Sequence, residues 1–200
     1  MNLLILSYVF MINVNITNEM REAAERDANR RDPYINHHFE VSHFTSLQRD
    51  IVGFLGEFSA CTLFNINWKE NIRSNYLLPD NGDITKNSLI FDVKTETLPS
   101  KYLNKLLNNS IDDNEIYGRR LINSDQVKLL SNYDIVIFGA MDRNNLNSWY
   151  PIGYLYTSYI LNNYTVTYTR PDGGQYPFAA LAIKTSDLLP IENLLNYSLV

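Results

Sequence analysis

Two aspartates and a lysine occur where a β-hairpin would bring their side chains together. Asp83 directly follows the turn signal Pro79-Asp80-Asn81-Gly82, and the segment Asp92-Val93-Lys94 comes after eight intervening residues. Side chains two positions apart in a strand project from the same face, so Asp92 and Lys94 would share one face. A tight turn would then bring the Asp83 carboxylate towards that of Asp92.

This grouping of charges has a definite chemistry. When two carboxylates lie side by side, their repulsion strongly raises the pKa of one of them unless they bind a cation. Their oxygen atoms favour Mg²⁺ or Mn²⁺. A divalent ion can lower the pKa of a bound water and stabilise the leaving oxygen of a phosphodiester, and Lys94 would orient that water and offset charge in the transition state. The residues therefore indicate metal-dependent phosphodiester hydrolysis.

Two predicted elements must position these groups. A hairpin is predicted from the strands Asp83–Lys86 and Leu89–Glu96, the second of which alternates apolar residues towards the core and charged residues towards a cleft. A mostly buried helix is predicted over Ser46–Phe64, with Glu57 at the edge of its apolar face. Glycine costs about 1 kcal/mol relative to alanine in a helix, so Gly53 and Gly56 suggest that another backbone passes close by.

The helical Gly56-Glu57, Asp83 and the segment Asp92-Val93-Lys94 together resemble the active-site motif of the PD-(D/E)xK nuclease superfamily. The resemblance covers about Ile51 to Thr95. It departs from the family at Gly82, which replaces the proline that precedes the first aspartate.

The resemblance implies a role for each residue of the motif. Asp83 and Asp92 would be metal ligands, the Val93 carbonyl a third ligand, and Lys94 the catalytic lysine. Glu57 would be the acidic residue contributed by the preceding helix, reaching a second ion. The implied cofactor is Mg²⁺, for which Mn²⁺ would substitute.

The resemblance also implies an α/β (α+β) fold, with a mixed central β-sheet flanked by helices in a restriction endonuclease-like core. The continuous apolar run Tyr133–Met141 predicts the next core strand, covered on both faces. No repeat or linker interrupts residues 1–200, so one nuclease domain is expected. Other elements predicted from the pattern are a helix over Asn15–Arg31 with Thr17 as N-cap, loop and partial helix over Pro99–Asp125, strands over Trp149–Ile160, Tyr164–Thr169 and Phe178–Lys184, and a short helix around Leu188–Leu195.

Three polar residues ahead of that core strand are candidate substrate-binding residues. Arg119 and Arg120 would either bind a phosphate beside the site or be solvent-exposed charges at the end of a loop. Gln126 is either an active-site neighbour or a surface helix residue. The tyrosines between Tyr150 and Tyr159 would stack on bases or pack a sheet. A surface loop is expected for His37, His38 and His43, which lack matching metal ligands.

Composition excludes some classes and leaves others open. A net charge of -5 weighs against non-specific polyanion binding, although bound metal ions would reverse the local sign in a nuclease. Cys61 is the only cysteine, so there is no intrachain disulfide and no cysteine-rich zinc site, and an intracellular, cytoplasmic setting fits best.

The apolar stretch Met1–Met11 is too short for a membrane span and is expected to form a first strand, unless translation begins at Met11. The Asn- and Tyr-rich composition would suit an AT-rich bacterial, phage or viral genome.

The predicted function is that of a metal-dependent nuclease that hydrolyses DNA, with water as the nucleophile. A homodimer would let two sites cut two strands, although the sequence marks no interface. Two alternatives stay open. One is a catalytically silent nucleic-acid-binding or assembly protein with a nuclease-like fold. The other is a metal-independent structural or host-interaction protein, in which Asp92 and Lys94 form an exposed salt bridge and Asp83 caps a turn.

Overall fold

The predicted hairpin lies at the edge of a five-stranded mixed sheet. The structure, a computed structural model, describes residues 12–31, 45–73 and 82–196. The strands in these ranges are β1 (Val14–Asn15), β2 (Ile84–Lys86), β3 (Leu89–Leu98), β4 (Arg119–Asn123), β5 (Ile135–Asp142), β6 (Asn145–Tyr156), β7 (Val166–Thr169) and β8 (Gln175–Lys184). The α-helices are α1 (Asn18–Arg31), α2 (Ser46–Leu63), α3 (Ser100–Leu107), α4 (Ser124–Val127), α5 (Thr157–Asn163) and α6 (Glu192–Asn196).

The larger sheet has the strand order β1-β6-β5-β3-β2. β3 and β5 are parallel, with Asp92 opposite Val136 and Lys94 opposite Phe138, whereas the other pairs are antiparallel. A parallel pair needs a crossover connection, and the chain between β3 and β5 includes α3. Every residue of β5 from Ile135 to Met141 is buried, which confirms the strand predicted from its apolar run.

A second, three-stranded antiparallel sheet has the order β4-β8-β7. Its inner face contributes Ile122, Leu181 and Ile183 to a core that also includes Val136 and Phe138 of the larger sheet. Strands β7 and β8 were predicted from the sequence, whereas β4 lies in the segment that was expected to be loop and partial helix. The two sheets therefore share part of one apolar core.

Helices α1 and α2 each begin with a side-chain cap, of which the sequence predicted only the one at Thr17. Thr17 Oγ1 accepts a hydrogen bond from the main-chain N–H of Met20 at 3.1 Å. At the start of α2, the side chains of Thr45 and Gln48 each accept a bond from the other's main-chain N–H, a reciprocal capping box. Both predicted helices are confirmed.

Gly56 lets α2 pack closely on β3. A Cβ atom at Gly56 would lie 1.9 Å from Oγ1 of Thr95, and that hydroxyl accepts a hydrogen bond from Trp149 Nε1 at 3.0 Å. The close neighbour is thus a side chain, not the backbone that the sequence suggested. At Gly53 the prediction is wrong, because a Cβ there would meet nothing within 4 Å.

The broad fold class is confirmed as mixed α/β, with a mixed sheet flanked by helices. One strand was predicted too long: beyond Tyr156 the chain turns into α5, whose Thr157 and Ile160 are buried. The expected N-terminal strand Met1–Met11 lies outside the described residues, and the single domain stays a prediction. No helix in the described ranges is long and apolar enough to cross a membrane.

Candidate active site

Asp83 is held against β3 by two hydrogen bonds. Its main-chain N–H donates to the carbonyl of Phe91 at 2.9 Å, and its Oδ2 accepts from the main-chain N–H of Val93 at 2.7 Å. The preceding residue, Gly82, has φ +104°, and a Cβ there would lie 2.3 Å from a methyl carbon of Ile90. Proline is restricted to φ near −65°, so the glycine that departs from the family motif is required by this backbone.

Asp92 is more buried than a cleft residue was expected to be, with only 4% of its surface exposed. Its Oδ1 accepts a hydrogen bond from Lys94 Nζ at 2.8 Å, as expected for neighbours on one face of β3. Its Oδ2 is buried and has no hydrogen-bond partner among the described residues. Buried carboxylate oxygens are normally paired, so this atom lacks a donor or a cation.

Glu57 of α2 is directed towards the same group of charges. It is 7% exposed, and its Oε2 accepts from Asn71 Nδ2 at 3.2 Å. Burial, followed by the negative charges of Glu57 and Asp92, raises the pKa of Asp83 well above its usual range. The Lys94 ammonium and the Val93 N–H oppose this rise but do not cancel it. The structure therefore brings Glu57, Asp83, Asp92 and Lys94 together in one acidic cluster.

Lys94 brings a positive charge into this cluster. Burial alone would lower its pKa, but the carboxylates of Asp92, Asp83 and Glu57 raise it above its ordinary value. The ammonium is consequently charged throughout the neutral pH range. In this charged form it can stabilise negative charge.

The Val93 carbonyl lies on the β2 edge of β3. Main-chain groups alternate between the two edges of a strand, and both the Phe91 carbonyl and the Val93 N–H bond to Asp83 on that edge. The Val93 carbonyl points towards the same edge of β3. It lies past the end of β2, whose first residue is Ile84. It is placed to supply the third oxygen that the motif implies.

Two charged residues near the site have no counterpart in the sequence prediction. Arg73 Nη2 lies 3.7 Å from Asp83 Oδ1, with 28% of its side chain exposed. Glu96 follows Lys94 on the same face of β3 and forms an ion pair with Arg120 of β4. Neither residue stands in a recognisable motif, and only the pairing of β3 and the packing of the two sheets bring them close.

The donor set fits a divalent cation, although no group of three His, Cys, Asp or Glu side chains in the described ranges has the arrangement of a metal site. Two carboxylates and one carbonyl are hard oxygen ligands of the kind that Mg²⁺ uses together with water. The unpartnered Oδ2 of Asp92 and the raised pKa of Asp83 are both signs of uncompensated negative charge, which a cation would relieve.

Cys61, one helical turn after Glu57, contributes no thiolate to this site. Burial, and then the nearby charges of Glu57 and Asp83, raise the pKa of the Cys61 thiol to about 12. The thiol is therefore protonated and acts as a small apolar side chain of the core.

The predicted substrate-binding residues are distributed over the smaller sheet and its surroundings. Arg120 is 1% exposed and paired with Glu96, so it is not presented to solvent. Arg119 is partly exposed on β4, and Gln126 is exposed on α4. Among the tyrosines, Tyr154 is buried, whereas Tyr156 and Tyr159 are exposed. The three histidines fall in residues 32–44, outside the described part of the chain.

Comparison with protein-family models, with curated proteins and with solved structures found no match for this chain. Inference about its function therefore depends on the geometry of the acidic cluster.

Proposed function

We propose that this protein is a metal-dependent nuclease of the PD-(D/E)xK type, with a restriction endonuclease-like core, that hydrolyses phosphodiester bonds in DNA. The observation that supports this most directly is the buried Asp92 carboxylate, which is bonded to Lys94 through one oxygen and has no partner among the described residues at the other. Asp83, with its raised pKa, lies beside it. A purely structural ion pair would not need this excess of buried negative charge.

The chain order around the cluster also agrees with the proposal. Helix α2 supplies Glu57, the β2–β3 hairpin supplies Asp83, Asp92 and Lys94, and a crossover containing α3 leads to the parallel strand β5. The resemblance implies this sequence of helix, hairpin, connection and buried strand.

Asp83 and Asp92 would hold one Mg²⁺ or Mn²⁺ with the Val93 carbonyl, and Glu57 would reach a second ion. When bound, the ion would supply an acidified water and positive charge at the phosphate. Lys94, charged at neutral pH, would orient that water and offset charge developing on the phosphate oxygens. Arg73, at the partly exposed side of Asp83, would contact the phosphate.

The test is a cleavage assay with linear, circular, single-stranded and branched DNA in Mg²⁺ or Mn²⁺. The parent should cut at least one substrate, and Asp83→Asn, Asp92→Asn and Lys94→Ala should each abolish cutting while retaining the fold by circular dichroism. Asp125→Asn changes an exposed aspartate of α4 and should cut like the parent. Equal rates for the parent and all three site variants would refute the assignment.

The second candidate is a catalytically silent nucleic-acid-binding or assembly protein. The observation that favours it is that protein cations already contact both aspartates: Lys94 lies 2.8 Å from Asp92 and Arg73 lies 3.7 Å from Asp83. Titration calorimetry with Mn²⁺ separates the candidates. A silent fold should bind no Mn²⁺ that depends on Asp83 or Asp92 and should cut none of the DNA substrates.

A further inference from the structure

A small cationic pocket lies on the face of the three-stranded sheet opposite its apolar core. Arg119 of β4 and Lys184 of β8 are direct partners in the strand register, and both line the pocket. Its volume is about 250 Å³. The other lining residues are Asn163, Tyr164, Thr165, Thr167 and Ala182.

Arg119 and Lys184 face each other across the β4–β8 pair, and no Asp or Glu of the described ranges lines the pocket with them. Directly opposite residues of an antiparallel pair have Cβ atoms about 5 Å apart, where like charges are destabilising. Arg119 Nε donates to the main-chain carbonyl of Asp113 at 3.2 Å, but neither cation forms an ion pair within the described part of the chain. In a chain with net charge -5, such a pair indicates a site for an external anion.

Two acidic residues near the pocket are hydrogen-bonded to neutral partners. The Asp113 carboxylate accepts hydrogen bonds from the main-chain N–H and the hydroxyl of Ser186, at 3.2 and 2.5 Å. The Asp187 carboxylate accepts from the hydroxyl of Tyr164, which lines the pocket. In the described part of the chain, neither carboxylate forms an ion pair with Arg119 or Lys184.

The size and lining of the pocket fit a phosphate group. Its volume is below the roughly 300–1,000 Å³ of pockets that enclose drug-sized ligands, so a small polar group suits it better than a whole organic molecule. Thr165 adds a hydroxyl to the lining, and Ala182 is a small lining residue that takes up little space. Arginine and lysine together are the usual protein ligands of a backbone phosphate.

One aromatic ring lines this pocket, and a second lies near its arginine. Tyr164 is one of its walls, and its hydroxyl is fixed by an accepted hydrogen bond from the Lys184 main-chain N–H at 3.2 Å. Tyr176 of β8 does not line the pocket, but it is close enough to Arg119 for the guanidinium charge to oppose the rise in the pKa of Tyr176 caused by burial. Phosphate-binding cations next to aromatic rings are typical of surfaces that bind nucleic-acid strands.

We infer that the pocket between Arg119 and Lys184 binds a backbone phosphate of a nucleic-acid strand. That this strand is the substrate of the acidic cluster rests on the proposed function. The pocket would then hold the substrate at a second point, on a different sheet from the cluster.

The inference is tested by fluorescence anisotropy with a labelled oligothymidylate in EDTA, where no cleavage occurs. Arg119→Gln and Lys184→Gln should each weaken binding about fivefold and lower the slope of log affinity against log salt by about 0.7, the loss of one phosphate contact. Arg119→Lys should retain most of the affinity. Lys101→Gln, which removes an exposed cation of α3, should bind like the parent.

Two outcomes would overturn this inference, and a third would separate it from the proposed function. The inference is overturned if the double variant Arg119→Gln/Lys184→Gln, folded by circular dichroism, binds the strand with the affinity and salt slope of the parent. It is also overturned if inorganic phosphate binding depends on the pair while strand binding does not, because the ligand would then be a free phosphate. If no DNA is cut under any condition but the double variant still binds the strand more weakly than the parent, the nuclease proposal is wrong. The inference that Arg119 and Lys184 bind a backbone phosphate is then retained.

Discussion

The carboxylate of Asp83 accepts a 2.7 Å hydrogen bond from the main-chain N–H of Val93, between the two residues that form the ion pair of β3. This bond fixes the carboxylate against the strand that also presents Asp92. It favours the ionised form, yet burial and the charges of Glu57 and Asp92 outweigh it and raise the pKa of Asp83. The fold therefore holds an acidic group where its charge is unfavourable, as active sites commonly do.

Replacing Asp83 with asparagine should stabilise the metal-free protein at neutral pH by about 1 kcal/mol. The amide oxygen can still accept from Val93, while the buried charge is removed. A raised pKa means that the folded state binds the proton more tightly, so the favourable contribution is present below the ordinary pKa of about 3.9 and is lost as pH rises through the raised value. The gain from Asp83→Asn should therefore be small in acid and grow towards neutral pH.

Urea denaturation in EDTA at several pH values measures this difference. Asp125→Asn on the exposed surface of α4 is the matched control and should leave stability unchanged. A neutral-pH loss of stability in Asp83→Asn would contradict the account of the cluster as uncompensated negative charge.

The same raised pKa should make metal affinity depend on pH. A carboxylate must be ionised to bind a cation, so the affinity of the parent for Mn²⁺ should rise with pH until it passes the pKa of Asp83. Asp83→Asn should lower the affinity and remove this part of the pH dependence. Titration calorimetry across the acidic and neutral range gives both quantities, and a pH-independent affinity of the parent would count against Asp83 as a ligand.

Replacing Lys94 with methionine should destabilise the metal-free protein by about 3 kcal/mol, because both oxygens of the buried Asp92 carboxylate would then lack a partner. Adding Asp92→Asn to the same chain should restore much of the loss. Thermal unfolding in EDTA measures both effects. Equal stabilities of the single and double variants would mean that Lys94 does not compensate Asp92.

Periodicity was sufficient to predict the elements that position the site. The alternation in β3 and the helical spacing in α2 give strong signals, because each element buries one face. Strand alternation also predicted that Asp92 and Lys94 would meet. It did not predict how deeply Asp92 is buried, since that depends on the packing around β3.

The features that the sequence did not predict also have local causes. β4 is five residues long and includes the buried Arg120, whose charge hides the strand pattern. α5 follows β6 without a glycine or proline to mark the change, so a run of tyrosines continued to suggest a strand. Arg73 approaches Asp83 only through tertiary packing, and no spacing in the sequence predicts it.

Gly56→Ala should destabilise the protein by about 2 kcal/mol, because its Cβ would overlap the Thr95 hydroxyl that bonds to Trp149. Gly53→Ala, in the same helix with nothing nearby, should stabilise it by about 1 kcal/mol. Urea denaturation of the two variants and the parent measures both changes in the free energy of unfolding. Since Gly56 adjoins Glu57, the first variant should also slow cleavage by shifting α2 away from β3, whereas Gly53→Ala should cut at the parent rate. Equal changes in stability would show that α2 does not pack on Thr95.

Replacing Glu96 with glutamine should destabilise the protein by about 3 kcal/mol, because the buried guanidinium of Arg120 would lose its counter-charge. Burial lowers the pKa of Arg120 to about 9, so the folded state binds this proton less tightly than the unfolded chain does. The gain in stability from losing this proton begins only near that value and accrues above it, so it does not act at neutral pH. Arg120→Met in the Glu96→Gln background removes the unpaired charge and should restore most of the stability at neutral pH. Urea denaturation of both variants at neutral pH tests this, and a double variant no more stable than Glu96→Gln would exclude the ion pair as the link between the two sheets.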